Sequence, residues 1–167
     1  MNHDAIAVHV FSKIVIDFIK TLSKNISKIY YFSDGAPQQY KNYKHFINLY
    51  YHKQDHGIQA EWHFFATAHG KGPRDGIGST VKRMAARASL PHDRQITTPQ
   101  EFYEWASQSV NLPQIKIRFS SKENYDLMKA ELLDRFNSAN TIPETQKIHC
   151  VIPSTNGIIK VKRFSVN

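Results

Sequence analysis

Two apolar runs, Ile29-Tyr30-Tyr31-Phe32 and Ala60-Glu61-Trp62-His63-Phe64-Phe65-Ala66-Thr67, flank a stretch in which Tyr40, Tyr43, Ile47 and Tyr50 recur at helical spacing as far as His56-Gly57. A helix between two strands carries the chain back to where the first strand began, so the strands enter the sheet in parallel. The first run does not alternate, which predicts a strand covered on both faces. A further helix precedes it, with Ala5, Val8, Phe11, Val15, Phe18, Ile19 and Leu22 on one face. Another follows the second run, from Asp75 to about Ala88. The resulting α-β-α-β-α order is that of an α/β domain with helices packed on its sheet.

Beyond Pro91 the pattern changes to α+β. A short helix is expected over 99–109, a strand over Ile115 to Phe119, a helix over Lys122 to Phe136, and two strands, His149 to Ile152 and Ile158 to Phe164, joined around Asn156-Gly157. This divides the chain into residues 1–90 and an extension, 91–167. The fold class read from the pattern is therefore an α-β-α-β-α core with an α+β C-terminal extension.

The chemistry-bearing positions stand at the ends of the two runs. Asp34 closes the first, at the carboxyl rim where open parallel sheets usually bind ligands; Asp34-Gly35 also has the composition of a plain turn, with glycine supplying positive φ. Ser33, Gln38 and Gln39 add polar groups to this rim. Asp75 opens the helix after the second run, where a carboxylate caps amides and suits the helix dipole. Glycines at 70, 72, 76 and 78 would admit a bulky ligand close to the backbone. If the strands are neighbours, two carboxylates at one rim suit Mg²⁺, which supports phosphoryl transfer. Around them lie Lys71, Arg74, Lys82, Arg83 and Arg87, and His69 is a further contact for phosphate or water. The loop is neither a dinucleotide fingerprint nor a P-loop, which excludes the ATPase and dehydrogenase classes.

Charge points the same way. Lys and Arg number 22 against 14 Asp and Glu, a formal charge of +8, so polyanions are the expected partners. The single cysteine, Cys150, forms no internal disulfide and reads as a small core residue. His52 and His56 sit one helical turn apart, but cysteine partners and a His-Glu-x-x-His motif are lacking, so structural zinc is disfavoured. Positive histidines near a helix C-terminus account for both. Tyr43, Ile47 and Tyr50 are read as core, leaving Lys41 and Lys44 on the solvent side. No run is long enough to cross a bilayer, and a soluble protein without membrane contact is expected.

The strings "YYFSDGAPQQYKNYKHFINL" and "AEWHFFATAHGKGPRDGIGSTVKRMAARASL" resemble a group of transposon-derived animal proteins and, more broadly, the RNase H-like fold of DDE-type transposases and integrases. The resemblance covers about residues 2 to 110. It implies that Asp34 is the second catalytic acid and Asp75 the third, both ligands of Mg²⁺ or Mn²⁺ once the site is complete, with Lys82 and Arg83 near nucleic acid. It further implies a partial RNase H-like core lacking the first three strands and the first acid, hence a truncated domain inactive alone. The intact parent would cut and join DNA. DNA is then the expected partner, RNA the second; a partner chain is expected at the open sheet edge, and the location is intracellular and nuclear. The alternative is a basic nucleic-acid-binding or protein-interaction module without catalysis.

Overall fold

The computed structural model describes residues 2–65, 73–90, 96–109, 115–154 and 156–163, without the side chains of residues 73–75. The chain divides into two units, residues 1–70 with 120–167, and residues 71–119.

In the first unit, α1 (Ala5–Leu22) begins at Asp4, whose Oδ1 accepts the amides of Ile6 and Ala7. The other oxygen of Asp4 accepts the Tyr125 hydroxyl at 2.6 Å. β1 (Lys28–Ser33), α2 (Tyr43–His56) and β2 (Gln59–Phe64) form the expected strand-helix-strand unit, and β1 pairs with β2 in parallel. Asn42 caps α2 by accepting the amide of His45. Gly57 ends it with φ of 73°, a left-handed conformation in which a Cβ is strained. Among the described residues no atom lies within 4 Å of a Cβ built there, so Gly57→Ala is expected to cost the conformational penalty, about 1 kcal/mol. A denaturant midpoint unchanged by the substitution would remove that assignment.

The C-terminal strands are not a separate layer. β3 (Cys150–Pro153) adds antiparallel to β2, and β4 (Ile159–Lys162) adds antiparallel to β3, giving one sheet in the order β1-β2-β3-β4. Strands from both sides of the boundary expected at residue 90 therefore share one sheet. The β3–β4 turn carries Asn156 and Gly157 at φ 61° and 74°, as its composition predicted. It is tied to α2 by the Gly157 amide donating to the Tyr50 hydroxyl.

Helices α1 and α2 cover one face of the sheet. Val8, Phe46 and Leu49 pack there on Ala60, Trp62, Phe64 and Val151. A second helical layer, α5 (Lys122–Glu131) and α6 (Leu133–Asn137), packs outside them: Ile6, Ala7 and Val10 meet Tyr125, Leu132 and Phe136. The expected single helix over 122–136 is broken at Leu132, which is buried and caps α5. Because α1 is sandwiched, its buried residues include Ile6, Ala7, Val10 and Ile16, while Phe11, Val15 and Leu22 of the predicted stripe are exposed. Arg135 of α6 donates to both oxygens of Asp55 at 2.7 and 2.9 Å.

The second unit contains α3 (Pro73–Ala88) and α4 (Pro99–Gln108), the latter with a capping box between Thr98 and Glu101. Val81, Met84, Phe102, Trp105 and Ala106 form its core with Ile115 and Ile117. The strand expected over 115–119 is irregular: Ile115 and Ile117 pack on this small core, and the segment joins no sheet. Among the described residues no helix is long and apolar enough to cross a membrane.

Candidate functional site

The side-chain alternation of β1 and β2 separates two environments. Tyr31, Ser33, Trp62 and Phe64 face the helices. Trp62 is their hub: its ring stacks on Tyr31 at 4.4 Å, meets His45 edge-on at 4.3 Å, and its Nε1 donates to Ser33 Oγ. Ser33 is thus consumed by the core, not offered at the rim.

The opposite face carries Lys28, Tyr30 and Phe32 on β1, Glu61 and His63 on β2, Cys150 and Ile152 on β3, and Lys160 and Lys162 on β4. The prediction that β1 is covered on both sides does not hold, since Tyr30 and Phe32 are 56% and 55% exposed. An aromatic run satisfies a half-buried strand equally well. Phe32 stacks on His63 at 5.0 Å and on Phe65 at 6.0 Å, and the Lys28 ammonium lies 4.8 Å from the centre of the Tyr30 ring. Lys28 also pairs with Glu61. Burial pushes the Glu61 carboxyl up, but Lys28, with His63, outweighs it and holds the group below its usual range. The face runs into a cleft of about 650 Å³ at the amino ends of β1 and β2, lined by Lys28, Tyr50, Lys53, Gln59, Glu61 and Ser154.

The carboxyl rim is built as a turn. Asp34 is exposed, and its Oδ1 accepts the Ala36 amide at 3.1 Å, the hydrogen bond of an Asx turn. Gly35 does not need positive φ; a Cβ there would come within 2.8 Å of Lys41 Cε. Glycine makes room for the Lys41 stem, and Lys41 is buried, donating to the Gln146 carbonyl at 2.9 Å. Its ammonium lies 5.1 Å from the Phe64 ring centre, and burial lowers its pKa. The solvent-side position expected for Lys41 is therefore corrected, and Lys44 lies partly buried over Phe136. Distinct contacts draw each inward: the Gln146 carbonyl and the Phe64 ring for Lys41, and Phe136 of α6 for Lys44.

Of the remaining predicted site residues, Lys82, Arg83 and Arg87 are exposed on α3. His69 and Lys71 lie outside the described residues, as do the side chains of Arg74 and Asp75. Asp34 belongs to the first unit and Asp75 to the second. Among the described residues, a Cβ at Gly76 or Gly78 would meet nothing within 4 Å. Asp34 is in no described cluster of metal-ligating groups. A lone exposed carboxylate with one oxygen already engaged does not make a Mg²⁺ site by itself.

His52 and His56 are not helix-end cations. His52 is buried between the Tyr31 hydroxyl at 3.0 Å and the Ile58 carbonyl at 2.7 Å, and desolvation lowers its pKa. Desolvation likewise takes His56 and His9 to about 4 and His45 to about 3. These four rings, with Tyr31, Asn48 and Trp62, line a cavity of about 20 Å³, and among the described residues His45 Nε2 and Asn48 Nδ2 have no hydrogen-bond partner. That volume matches about one water.

The fold defines a mixed α/β protein with a four-stranded mixed sheet, one face of which presents half-exposed aromatic rings among lysines. The chain belongs to the family described as "Domain of unknown function (DUF8701)", which matches residues 1–165. No curated protein and no solved structure matches it.

The residues of the open face escaped the sequence reading, although one signal was present. Lys28, Tyr30 and Phe32 alternate with Ile29, Tyr31 and Ser33, but with every member of the run aromatic or aliphatic except its ends, period-2 polarity is hidden.

Proposed function

We propose that the chain is a basic nucleic-acid-binding module whose open sheet face stacks unpaired bases, without catalysis of its own. The observation that supports this reading is the pair Tyr30 and Phe32, both more than half exposed on a face bordered by Lys28, Lys160 and Lys162. Half-exposed large aromatic rings grouped on one face are the kind of patch that marks a binding surface, and single strands are held by such rings together with cations that track the phosphates. The net charge of +8 supplies long-range attraction. Lys82, Arg83 and Arg87 on α3 offer further phosphate contacts.

The test is fluorescence anisotropy of labelled single-stranded DNA, single-stranded RNA and duplex DNA over a salt series. Tyr30→Ala with Phe32→Ala is expected to weaken single-strand binding by about 30-fold or more, from about 1–3 kcal/mol for each of the two lost base stacks. Lys82→Ala with Arg83→Ala is expected to weaken all ligands and flatten the salt slope by about 0.7 per phosphate contact. An affinity for single strands untouched by the aromatic pair ends the proposal.

A second reading follows from Asp34 standing directly after β1 of a parallel pair whose other partner edge is open among the described residues. RNase H-like ancestry would have Asp34 hold Mg²⁺ or Mn²⁺ for DNA cutting and joining. Mn²⁺ should then broaden the amide signals beside Asp34, and Asp34→Asn should abolish the effect. Signals beside Asp34 that stay sharp sink this reading.

A further inference from the structure

On the open face, Glu61, His63 and Cys150 bring one ligand atom each within 4.8 Å of one another. We infer that these three side chains form a binding site for a divalent cation of the zinc class. This inference is independent of nucleic-acid binding.

The ligand set arises from register. His63 and Cys150 are directly paired residues of the antiparallel β2–β3 ladder, and Glu61 lies two positions before His63, on the same face of β2. Strand pleat therefore aims all three the same way, although 87 residues separate His63 from Cys150.

The spacing suits a tetrahedral ion. His63 Nε2 is 3.4 Å from Glu61 Oε2 and 3.8 Å from Cys150 Sγ. With ordinary zinc bonds to nitrogen, oxygen and sulfur, the corresponding tetrahedral edges are about 3.3 and about 3.6 Å. The third edge, Glu61 to Cys150, lies within 4.8 Å and must close to about 3.6 Å; the three corners then leave the fourth for water or an anionic oxygen, the open pattern of reactive zinc centres. Lys28 engages Glu61 Oε1 and so leaves Oε2 turned toward His63.

The donor chemistry selects the ion. A thiolate and an imidazole are soft or borderline ligands that favour Zn²⁺ over Mg²⁺ or Ca²⁺. Two anionic ligands balance the ion's charge. An ordinary cysteine thiol, with a pKa of about 8.5, carries its proton at neutral pH. Binding displaces that proton: the S–H bond breaks, the sulfur lone pair enters the metal–sulfur bond, and the proton leaves to the buffer. His63 contributes the Nε2 lone pair and keeps its proton on Nδ1.

The experiment is titration of the full chain with Zn²⁺ in two buffers of different ionisation enthalpy, with Co²⁺ as a spectroscopic probe. One ion per chain, about one proton released at neutral pH, and a near-ultraviolet thiolate-to-cobalt band are expected. Cys150→Ser and His63→Gln should each lower Zn²⁺ affinity by about 100-fold or more. His63 is partly exposed, so His63→Gln keeps the fold if Cys150→Ser does not. Zn²⁺ binding that survives His63→Gln, a cobalt complex without the thiolate band, or no binding at micromolar Zn²⁺ would each overturn the inference.

Discussion

Lowering the pH from 6.5 toward 4 is expected to unfold the first unit cooperatively. An unfolded histidine takes up a proton near 6.5, whereas the folded protein holds His9 and His56 at about 4 and His45 at about 3. As pH falls, the unfolded chain binds protons first. The stabilisation is complete above pH 6.5 and is lost progressively down to the folded values.

The charges around these rings do not reverse the sign. Asp55 raises the pKa of His9, His52 and His56, and Asp17 that of His56, while Arg135 and Lys20 oppose them, and desolvation is the largest effect throughout. For His9 and His45, linkage removes about 2–3 kcal/mol each by pH 4.5. Together that is about 5 kcal/mol, comparable to the whole stability of many domains. His52 and His56 act in the same direction. Melting temperature followed by circular dichroism from pH 7.5 to 4 measures the effect. His45→Leu should move the acid midpoint downward, since it removes a buried ring whose Nε2 has no protein partner. A melting temperature that stays level down to pH 4.5 would refute this account.

Trp62→Ala is expected to cost about 3–5 kcal/mol, the upper range for removing a buried aromatic ring. Trp62 is only 6% exposed and contacts Tyr31, Tyr40 and His45, so the cavity left behind is bounded by both helix and strand residues. Its loss also strips the Nε1–H donor from Ser33 Oγ. Trp62→Phe keeps most of the packing and isolates that hydrogen bond, with an expected loss nearer 1–2 kcal/mol. Chemical denaturation measures both. Equal losses for the two substitutions would mean that ring volume is not what Trp62 contributes.

Local signals in the chain are strong wherever one residue type does one job. Gly57 stops a helix because it adopts positive φ, and Asn156-Gly157 turns a hairpin for the same reason. The parallel β1–β2 pair is equally legible, since a helix between two strands allows little else. The Asp34-Gly35 turn was also readable, but not its reason: the glycine accommodates Lys41, whose burial depends on the carbonyl of Gln146, 105 residues away.

What the amino-acid order determined, then, is the type and limits of most elements, because caps, turns and hydrophobic period act over a few residues. Tertiary structure alone decided which faces those elements bury. It seats α1 and α2 on one side of the sheet and leaves Tyr30 and Phe32 about half exposed on the other. It also drives His45 and His52 inside and lays Cys150 beside His63. An aromatic or a histidine is chemically at home in either setting, so its environment is set by which distant surface packs against it.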